Sequence, residues 1–275
     1  MSDRRNVLIR SLAVLTAAMV VVLILVGGLV TTTKTGDTIP TWPLWRGQLA
    51  GGAWVEWSHR AVAGVVGLLV LGLAVALHWF EPRPGVRKLA WLALAGVVVQ
   101  ALLGAVRIYL PVAAVAIVHA VFAQAVFCLL VMVAWRPAAG VADARGLGLA
   151  ATAAAFLQLV AGAVTRHTGS GLEVHVVGAV GVFLLVSLFA SRLMLTPLRR
   201  GGLVLLGLLG AQIALGVATW VITRNSFDRS VDAPVASLVT ISAHVAMGAG
   251  LLATCLVLTL GCRRVPGAAT EPALA

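Results

Sequence analysis

The chain has 275 residues, of which 61% are hydrophobic and only 11% charged, and its mean hydropathy is +1.05. This composition lies far outside the range of a soluble domain and predicts an integral membrane protein. The net charge of +11 would suit nucleic acid, but no basic run is long enough to form a binding patch, so we expect no nucleic-acid site.

Apolar runs recur along the whole chain, each close to the roughly 20 residues that a helix needs to cross the hydrocarbon core. They cover residues 11–30, 53–79, 89–109, 112–134, 147–165, 173–195, 202–223 and 236–260. The runs are apolar on all sides, which favours helices over the alternating strands of a membrane barrel. The sequence therefore predicts an all-α integral membrane protein with eight spanning helices, the first of them a retained anchor rather than a signal peptide.

The positive charges are divided unequally between the two ends of these spans. If the helices simply alternate, one side carries Arg4, Arg5, Arg10, Arg83, Arg87, Lys88, Arg136, Arg145, Arg192, Arg199, Arg200, Arg263 and Arg264. The other side carries only Lys34, Arg46, Arg60, Arg107, Arg166, Arg224 and Arg229. The positive-inside rule then predicts a multi-pass protein of the cell membrane with both termini in the cytoplasm.

Four of the six histidines lie one or two turns inside the start of an apolar run, in every second run along the chain. They are His59, His119, His175 and His244. An ionisable ring in a membrane span is costly, so the default interpretation is a functional group that faces the bundle interior. In the predicted orientation all four rings lie at matching depth, towards the outer face.

Short motifs also recur in the same order in the two halves of the chain. Gly28-x-Val30-Thr31 ends the first span and Gly162-x-Val164-Thr165 the fifth, while Gln100-x-x-Leu103-Gly104 in the third matches Gln212-x-x-Leu215-Gly216 in the seventh. In this register His59 corresponds to His175, and His119 to His244. The shared order predicts two tandem four-helix bundles, residues 1–136 and 137–275, related by a pseudo-two-fold axis along the membrane normal.

A four-helix bundle can hold a flat macrocycle between facing side chains, and haem iron commonly takes imidazole as an axial ligand. One histidine from the second helix and one from the fourth would supply both ligands, so each half predicts one bis-histidine haem site. A zinc or copper site is the rival, but such sites usually need closer spacing or thiolate and carboxylate partners. The three cysteines, Cys128, Cys255 and Cys262, are remote from the rings.

The two halves differ in their acids. Glu56 precedes His59 by three residues, which on a helix places the carboxylate within about 60° of the imidazole. Glu173 precedes His175 by two residues, about 200° away. The sequence therefore predicts a catalytic acid, Glu56, in the first half alone, although a carboxylate near a helix start is also favoured by the helix dipole.

Several residues of the outer rim allow two interpretations. Lys34, Arg60, Arg107 and Arg166 could pair with haem propionates or extend to the surface. His167 could be solvated or line the rim of a site. The tryptophan-rich connection between the first two spans, with Trp42, Trp45, Trp54 and Trp57, could cover an opening or form an ordinary aromatic belt.

Taken in order, these motifs resemble the haem A synthase family. They are Gly28-Leu29-Val30-Thr31, Trp42-Pro43-Leu44, Glu56-Trp57-Ser58-His59-Arg60, Gln100-x-x-Leu103-Gly104, Leu110-Pro111 with His119, Arg166-His167-Thr168-Gly169-Ser170-Gly171 with His175, and finally His244. Many bacterial relatives have a cysteine pair in the first outer loop, whereas here Pro40 and Trp45 occupy that neighbourhood without any cysteine.

The resemblance implies conversion of haem O to haem A, by oxidation of the methyl group at ring carbon 8 to a formyl group through two hydroxylations and loss of water. It implies that His175 and His244 hold a resident haem b, and that His59 and His119 receive the substrate haem O with Glu56 near the reacting methyl. Haem O synthase and an electron donor are the implied partners, and association of copies of the chain stays open.

Two other classes of function fit part of the pattern. A membrane electron carrier of the cytochrome b kind would use two bis-histidine haems without changing either, but it suits one site near each membrane face rather than both near one face. A transporter built from parallel repeats would explain the symmetry and leave the histidines unexplained.

Overall fold

The computed structural model describes residues 2–43, 45, 47–135, 144–224 and 234–262, and all regular elements in these ranges are helices. They are α1 (Ser2–Thr32), α2 (Gly52–Phe80), α3 (Pro84–Tyr109), α4 (Ala113–Ala134), α5 (Arg145–Thr168), α6 (Leu172–Met194), α7 (Arg199–Thr223) and α8 (Val235–Gly261). The predicted all-α fold with eight spanning helices is confirmed. The predicted boundary at 136/137 lies outside the described residues, as do Arg46, Arg136, Arg229, Arg263 and Arg264.

Each of these eight described helices is long and apolar enough to cross a membrane, so the protein is a multi-pass membrane protein. Six of these helices are longer than the predicted apolar runs, whereas α4 and α6 are not. The largest extension is in α1, where polar residues lengthen the helix back to Ser2. The turn between α5 and α6 is short because Gly169 and Gly171 adopt positive φ angles of 74° and 81°, a conformation that glycine adopts without a steric penalty.

Two clusters of buried side chains form the core. The first cluster is formed mainly by the four helices α1, α2, α3 and α4 and includes Val70, Leu73 and Leu130. The second is formed by α5, α6, α7 and α8 and includes Phe189 and Leu205. The last helix belongs to both, since its Ala249 lies in the first cluster and its Cys255 in the second. The contacts of α1 with α8 and of α4 with α5 and α8 hold the two halves together.

The odd-numbered helices end, and the even-numbered helices begin, at one end of the bundle, which we call the histidine end. A charged side chain joins the two halves there. Arg166, near the end of α5, donates hydrogen bonds to the main-chain oxygen of Gly28 at 2.6 Å and to Thr32 Oγ1 at 2.5 Å, both near the end of α1. This contact fixes the ends of α1 and α5 beside each other.

Candidate functional site

The four predicted histidines all lie at the histidine end, within the first three turns of α2, α4, α6 and α8. Each residue is half-buried. The ring nitrogens Nδ1 of His59, His119 and His244 are buried and have no hydrogen-bond partner among the described residues. Buried polar atoms without partners are uncommon and costly, so these rings have the character of ligands rather than of satisfied core residues.

Each histidine packs against a glycine of the preceding helix. A Cβ atom built on the glycine would lie 3.0 Å from the Cε1 atom of the ring in the pairs Gly27–His59, Gly162–His175 and Gly216–His244, and 3.5 Å from it in the pair Gly104–His119. A side chain at three of these positions would therefore displace the imidazole. We call the four glycines cradle residues; at Gly27, Gly162 and Gly216 the ring keeps its place only beside a residue without a Cβ.

One of these contacts differs from the predicted repeat. The sequence motifs align Gly28 with Gly162, but the residue that faces His59 is Gly27. Gly28 instead packs against α8, where a Cβ atom built on it would lie 3.1 Å from Cβ of Ser242. The structural counterpart of Gly162 is therefore shifted by one residue along α1.

The second pair of histidines is close enough to share one ligand. The ring centroids of His175 and His244 are 6.3 Å apart and their planes are nearly perpendicular, at 85°. Two imidazole nitrogens that bind opposite sides of one metal ion at about 2 Å each place the ring centroids about 6 Å apart. The separation of these rings therefore fits a single metal ion between them, as in a bis-histidine haem.

Three glutamines lie one turn before a cradle glycine, and sequence analysis missed their role. The pairs are Gln100 with Gly104, Gln158 with Gly162, and Gln212 with Gly216. Gln100 Nε2 donates to the main-chain oxygen of His119 at 2.9 Å, and Gln158 Nε2 donates to that of His175 at 2.7 Å. A polar amide on the glycine-bearing face of an apolar span is the signal that could have found them.

Glu56 is buried, with 4% of its surface exposed. Its Oε1 accepts a hydrogen bond from Arg60 at 2.5 Å, and its Oε2 accepts from Thr38 Oγ1 and from the main-chain nitrogen of Ile39, both at 2.9 Å. Glu56, which lies within one turn of His59, is therefore hydrogen-bonded to Arg60 and to the connection between α1 and α2. The corresponding acid of the second half, Glu173, is exposed, as its different helical phase predicts.

Arg60 does not line the same space as the other three cations of the rim. Besides Glu56, its guanidinium donates to the main-chain oxygens of Ile39 at 3.0 Å and of Thr41 at 2.5 Å. Glu56 and Arg60 together form a clamp, which we call the Glu56–Arg60 clamp, that fastens the connection onto α2. An ion pair with such additional hydrogen bonds satisfies both partners.

The other three cations line one cavity of about 260 Å³ at the histidine end. Lys34, Arg107 and Arg166 surround it together with His167 and Asp37. His167 thus lines this cavity. The cavity combines residues of both halves, with more positive than negative side chains, and would suit anionic groups such as carboxylates.

The tryptophans at this end lie on the surface. Trp54 and Trp57 stack on each other at a centroid distance of 5.6 Å, and both are exposed, as is Trp42. None of the three lines the cavity between Lys34 and Arg166. Their positions are typical of an aromatic belt at a membrane interface.

Comparison with known proteins confirms the resemblance that the motifs predicted. Residues 48–177 match the family described as cytochrome oxidase assembly protein, a segment that includes Glu56, His59, His119 and His175. The heme A synthase of Exiguobacterium sibiricum is 40% identical over 100 residues, which is 34% of this chain and 33% of the relative.

Two further heme A synthases match over a similar length. That of Shouchella clausii is 36% identical over 104 residues, 35% of each chain, and that of Bacillus pumilus is 36% identical over 110 residues, 36% of this chain and 35% of the relative. The chain thus spans about a third of the length of the curated relatives that it matches. It is similar to heme A synthases, and the family match covers the segment that carries the buried acid and three of the four histidines.

Proposed function

We propose that this protein is a haem A synthase, which oxidises the methyl group at carbon 8 of haem O to a formyl group by successive hydroxylations. The observation that carries the proposal is the set of four half-buried imidazoles at one end of the bundle, each against a cradle residue without a side chain. The similarity to heme A synthases supports the same reaction. The product, haem A, would serve terminal oxidases.

In this proposal His175 and His244 hold a resident haem b. Their centroid distance of 6.3 Å supports a shared iron, and the cradles at Gly162 and Gly216 leave room for both rings. When bound, haem b supplies one-electron transfer. His175 and His244 would ligate its iron, and the apolar surroundings of the site would help to set its potential.

His59 and His119 would bind the substrate, haem O, in the first half. Glu56 supports this division, because it is buried one turn from His59 whereas Glu173 of the second half is exposed. The Glu56–Arg60 clamp holds the carboxylate in place beside His59. Glu56 would orient water or take up a proton as positive charge develops at the oxidised methyl group.

The propionates of the macrocycles would bind in the cavity lined by Lys34, Arg107 and Arg166. These cations belong to both halves, and two of them are guanidinium groups that match carboxylate geometry. Arg60, the fourth predicted propionate partner, would instead act through Glu56, because its hydrogen bonds are to that carboxylate and to the connection.

The symmetry and orientation of the molecule complete the proposal. The contact of α1 with α8 and that of α4 with α5 are exchanged by the predicted pseudo-two-fold axis, which supports the division into residues 1–136 and 137–275. Both termini would lie in the cytoplasm and the haem sites towards the outer face. Haem O synthase would deliver the substrate, and a separate donor would supply electrons.

A two-haem electron carrier receives less support. Electron transfer across a membrane needs redox centres at different depths, but all four imidazoles lie at the histidine end of the bundle. A buried acid beside one histidine of only one pair also has no part in simple electron transfer.

Two sets of variants test the proposal. His175→Ala or His244→Ala should abolish the low-spin haem b absorption spectrum, because each removes one axial ligand; an unchanged spectrum would contradict the haem b assignment.

Glu56→Ala should retain bound haem but stop the formation of the formyl group, measured by chromatography of extracted haems. Normal haem A production by that variant would rule out a catalytic role for Glu56.

A further inference from the structure

Of the four imidazoles, only that of His175 has a described side-chain partner at Nδ1. Gln158 Nε2 lies 3.1 Å from this atom and 2.7 Å from the main-chain oxygen of the same residue. The Nδ1 atoms of the other three rings have no hydrogen-bond partner among the described residues. Gln158 thus contacts both the main chain and the ring of His175.

The fold gives this contact to the second half alone. Gln158 lies one turn before Gly162, the cradle of His175; the residue one turn before Gly27, the cradle of His59, is Leu23. In the first half, Gln100 donates to the main chain of His119 but does not hydrogen-bond to its Nδ1. A leucine cannot form a hydrogen bond, so the ring of His59 lacks the partner that the ring of His175 has.

A glycine of α6 makes room for the amide. Gly178 lies one turn beyond His175, and a Cβ atom built on it would overlap with the Oε1 atom of Gln158. The amide group therefore fits between α5 and α6 because Gly178 has no side chain. An amide carries a donor at one end and an acceptor at the other, so either end can be presented to the ring.

We propose that Gln158 is the positioning residue for the imidazole of His175 and sets the orientation of this ring as an axial ligand of the second-half haem. The inference rests on the proposed haem b site. Histidines that bind a metal through Nε2 usually have a hydrogen-bond partner at the other ring nitrogen, which fixes the rotation of the ring. The amide nitrogen of Gln158 faces Nδ1; once Nε2 binds iron, Nδ1 carries the proton and the amide would turn its oxygen to accept from it. In either state Gln158 would hold the plane of His175 near 85° to that of His244.

The test uses the full-length protein with Gln158→Met, which keeps the length and volume of the side chain but removes the amide. Low-spin ferric haem with perpendicular axial imidazole planes gives a strongly anisotropic EPR signal with a large maximum g value, whereas parallel planes give a rhombic signal. We expect the large-g signal in the unchanged protein. In Gln158→Met it should shift towards the rhombic form or broaden, at unchanged haem b content.

Gln100→Met is the matched control, because it removes an amide that contacts His119 and not the second pair. Its second-half EPR signal should equal that of the unchanged protein. An unaltered signal in Gln158→Met would overturn the proposal. Loss of haem b from Gln158→Met would support the proposal, provided that this variant is inserted in the membrane in normal amount and that Gln100→Met retains its haem b.

A measurement without haem separates this proposal from the proposed function. The amide nitrogen of Gln158 can only donate, so in haem-free protein the ring of His175 should carry its proton on Nε2, and Gln158→Met should change the nitrogen resonances of that ring. Histidine-selective ¹⁵N NMR reads both. Ring nitrogen resonances unaffected by Gln158→Met would overturn the inference even if the haem assignment holds. If instead no haem b binds, the proposed function fails while the NMR result still decides the role of Gln158.

Discussion

The cradle residue Gly216 offers a sharp test of how closely the histidines are positioned. An alanine in an unobstructed helix interior is more favourable than glycine by about 1 kcal/mol. At Gly216, however, the new Cβ would lie 3.0 Å from Cε1 of His244, whereas carbon atoms pack best at about 3.5 to 4.0 Å. The ring must therefore move by about 0.5 Å or more.

A displacement of this size is significant for a metal ligand, because binding sites need their groups held to within about 0.5 Å. We expect Gly216→Ala to lower the haem b content or to alter the low-spin absorption spectrum of purified protein. Gly210→Ala is the control in the same helix, since no atom lies within 4 Å of its added Cβ. It should leave the spectrum unchanged and keep or raise the midpoint of thermal unfolding.

The repeat supplies a second comparison for the same perturbation. At Gly104, the counterpart of Gly216 in the first half, the added Cβ would lie 3.5 Å from Cε1 of His119, an ordinary contact distance. Gly104→Ala should therefore disturb haem binding less than Gly216→Ala does. Equal haem b content and identical spectra in Gly216→Ala and Gly210→Ala would refute the argument that the glycine is required by the ring.

Three further predictions concern other contacts. Arg60→Met should lower the midpoint of thermal unfolding in detergent, because breaking a buried ion pair by removing one partner costs about 3 to 5 kcal/mol; an unchanged midpoint would show that Glu56 does not need the clamp. Arg166→Met should also lower this midpoint, by less, since hydrogen bonds from charged groups contribute about 1.5 to 3 kcal/mol, and a midpoint equal to that of the unchanged protein would contradict a role in joining the halves. With the native cysteines replaced by serine, a single cysteine at Ser170 should react with an impermeant reagent in intact cells, whereas one at Gly85 should not; the reverse labelling would invert the proposed orientation.

Much of this architecture could be predicted because the membrane restricts the choices. A span must satisfy its own backbone hydrogen bonds, so long apolar runs become helices. An imidazole within such a run is costly enough to indicate a function, and His59, His119, His175 and His244 indeed lie at one end of the bundle. The burial of Glu56 and the exposure of Glu173 also follow from helical periodicity.

The partners of these residues could not be predicted from periodicity. Glu56 binds Thr38 and Ile39, which precede it by 18 and 17 residues in a connection without regular structure. Arg60 pairs with the carboxylate of Glu56 one turn away, whereas the other three cations of the rim line the cavity. Such contacts depend on how the connection folds over α2, which the sequence pattern does not specify.

The sequence repeat was aligned on identical residues, and this alignment missed two features: the shift of the glycine that faces His59 and the absence of a glutamine one turn before it. A shift of one residue turns a helical position by about 100°, so Gly27 rather than Gly28 faces His59. With Gly27 as the counterpart of Gly162, Leu23 corresponds to Gln158, a difference that identity alone does not reveal. The position that distinguishes the two halves is therefore one at which the repeat is broken.

The central claim is that this protein converts haem O to haem A. The most direct measurement is chromatography of haems extracted from the purified protein, produced with and without co-expressed haem O synthase. We predict haem A or its hydroxylated precursor together with haem b when haem O synthase is present. Haem b alone under both conditions would contradict the claim and favour a simple electron carrier.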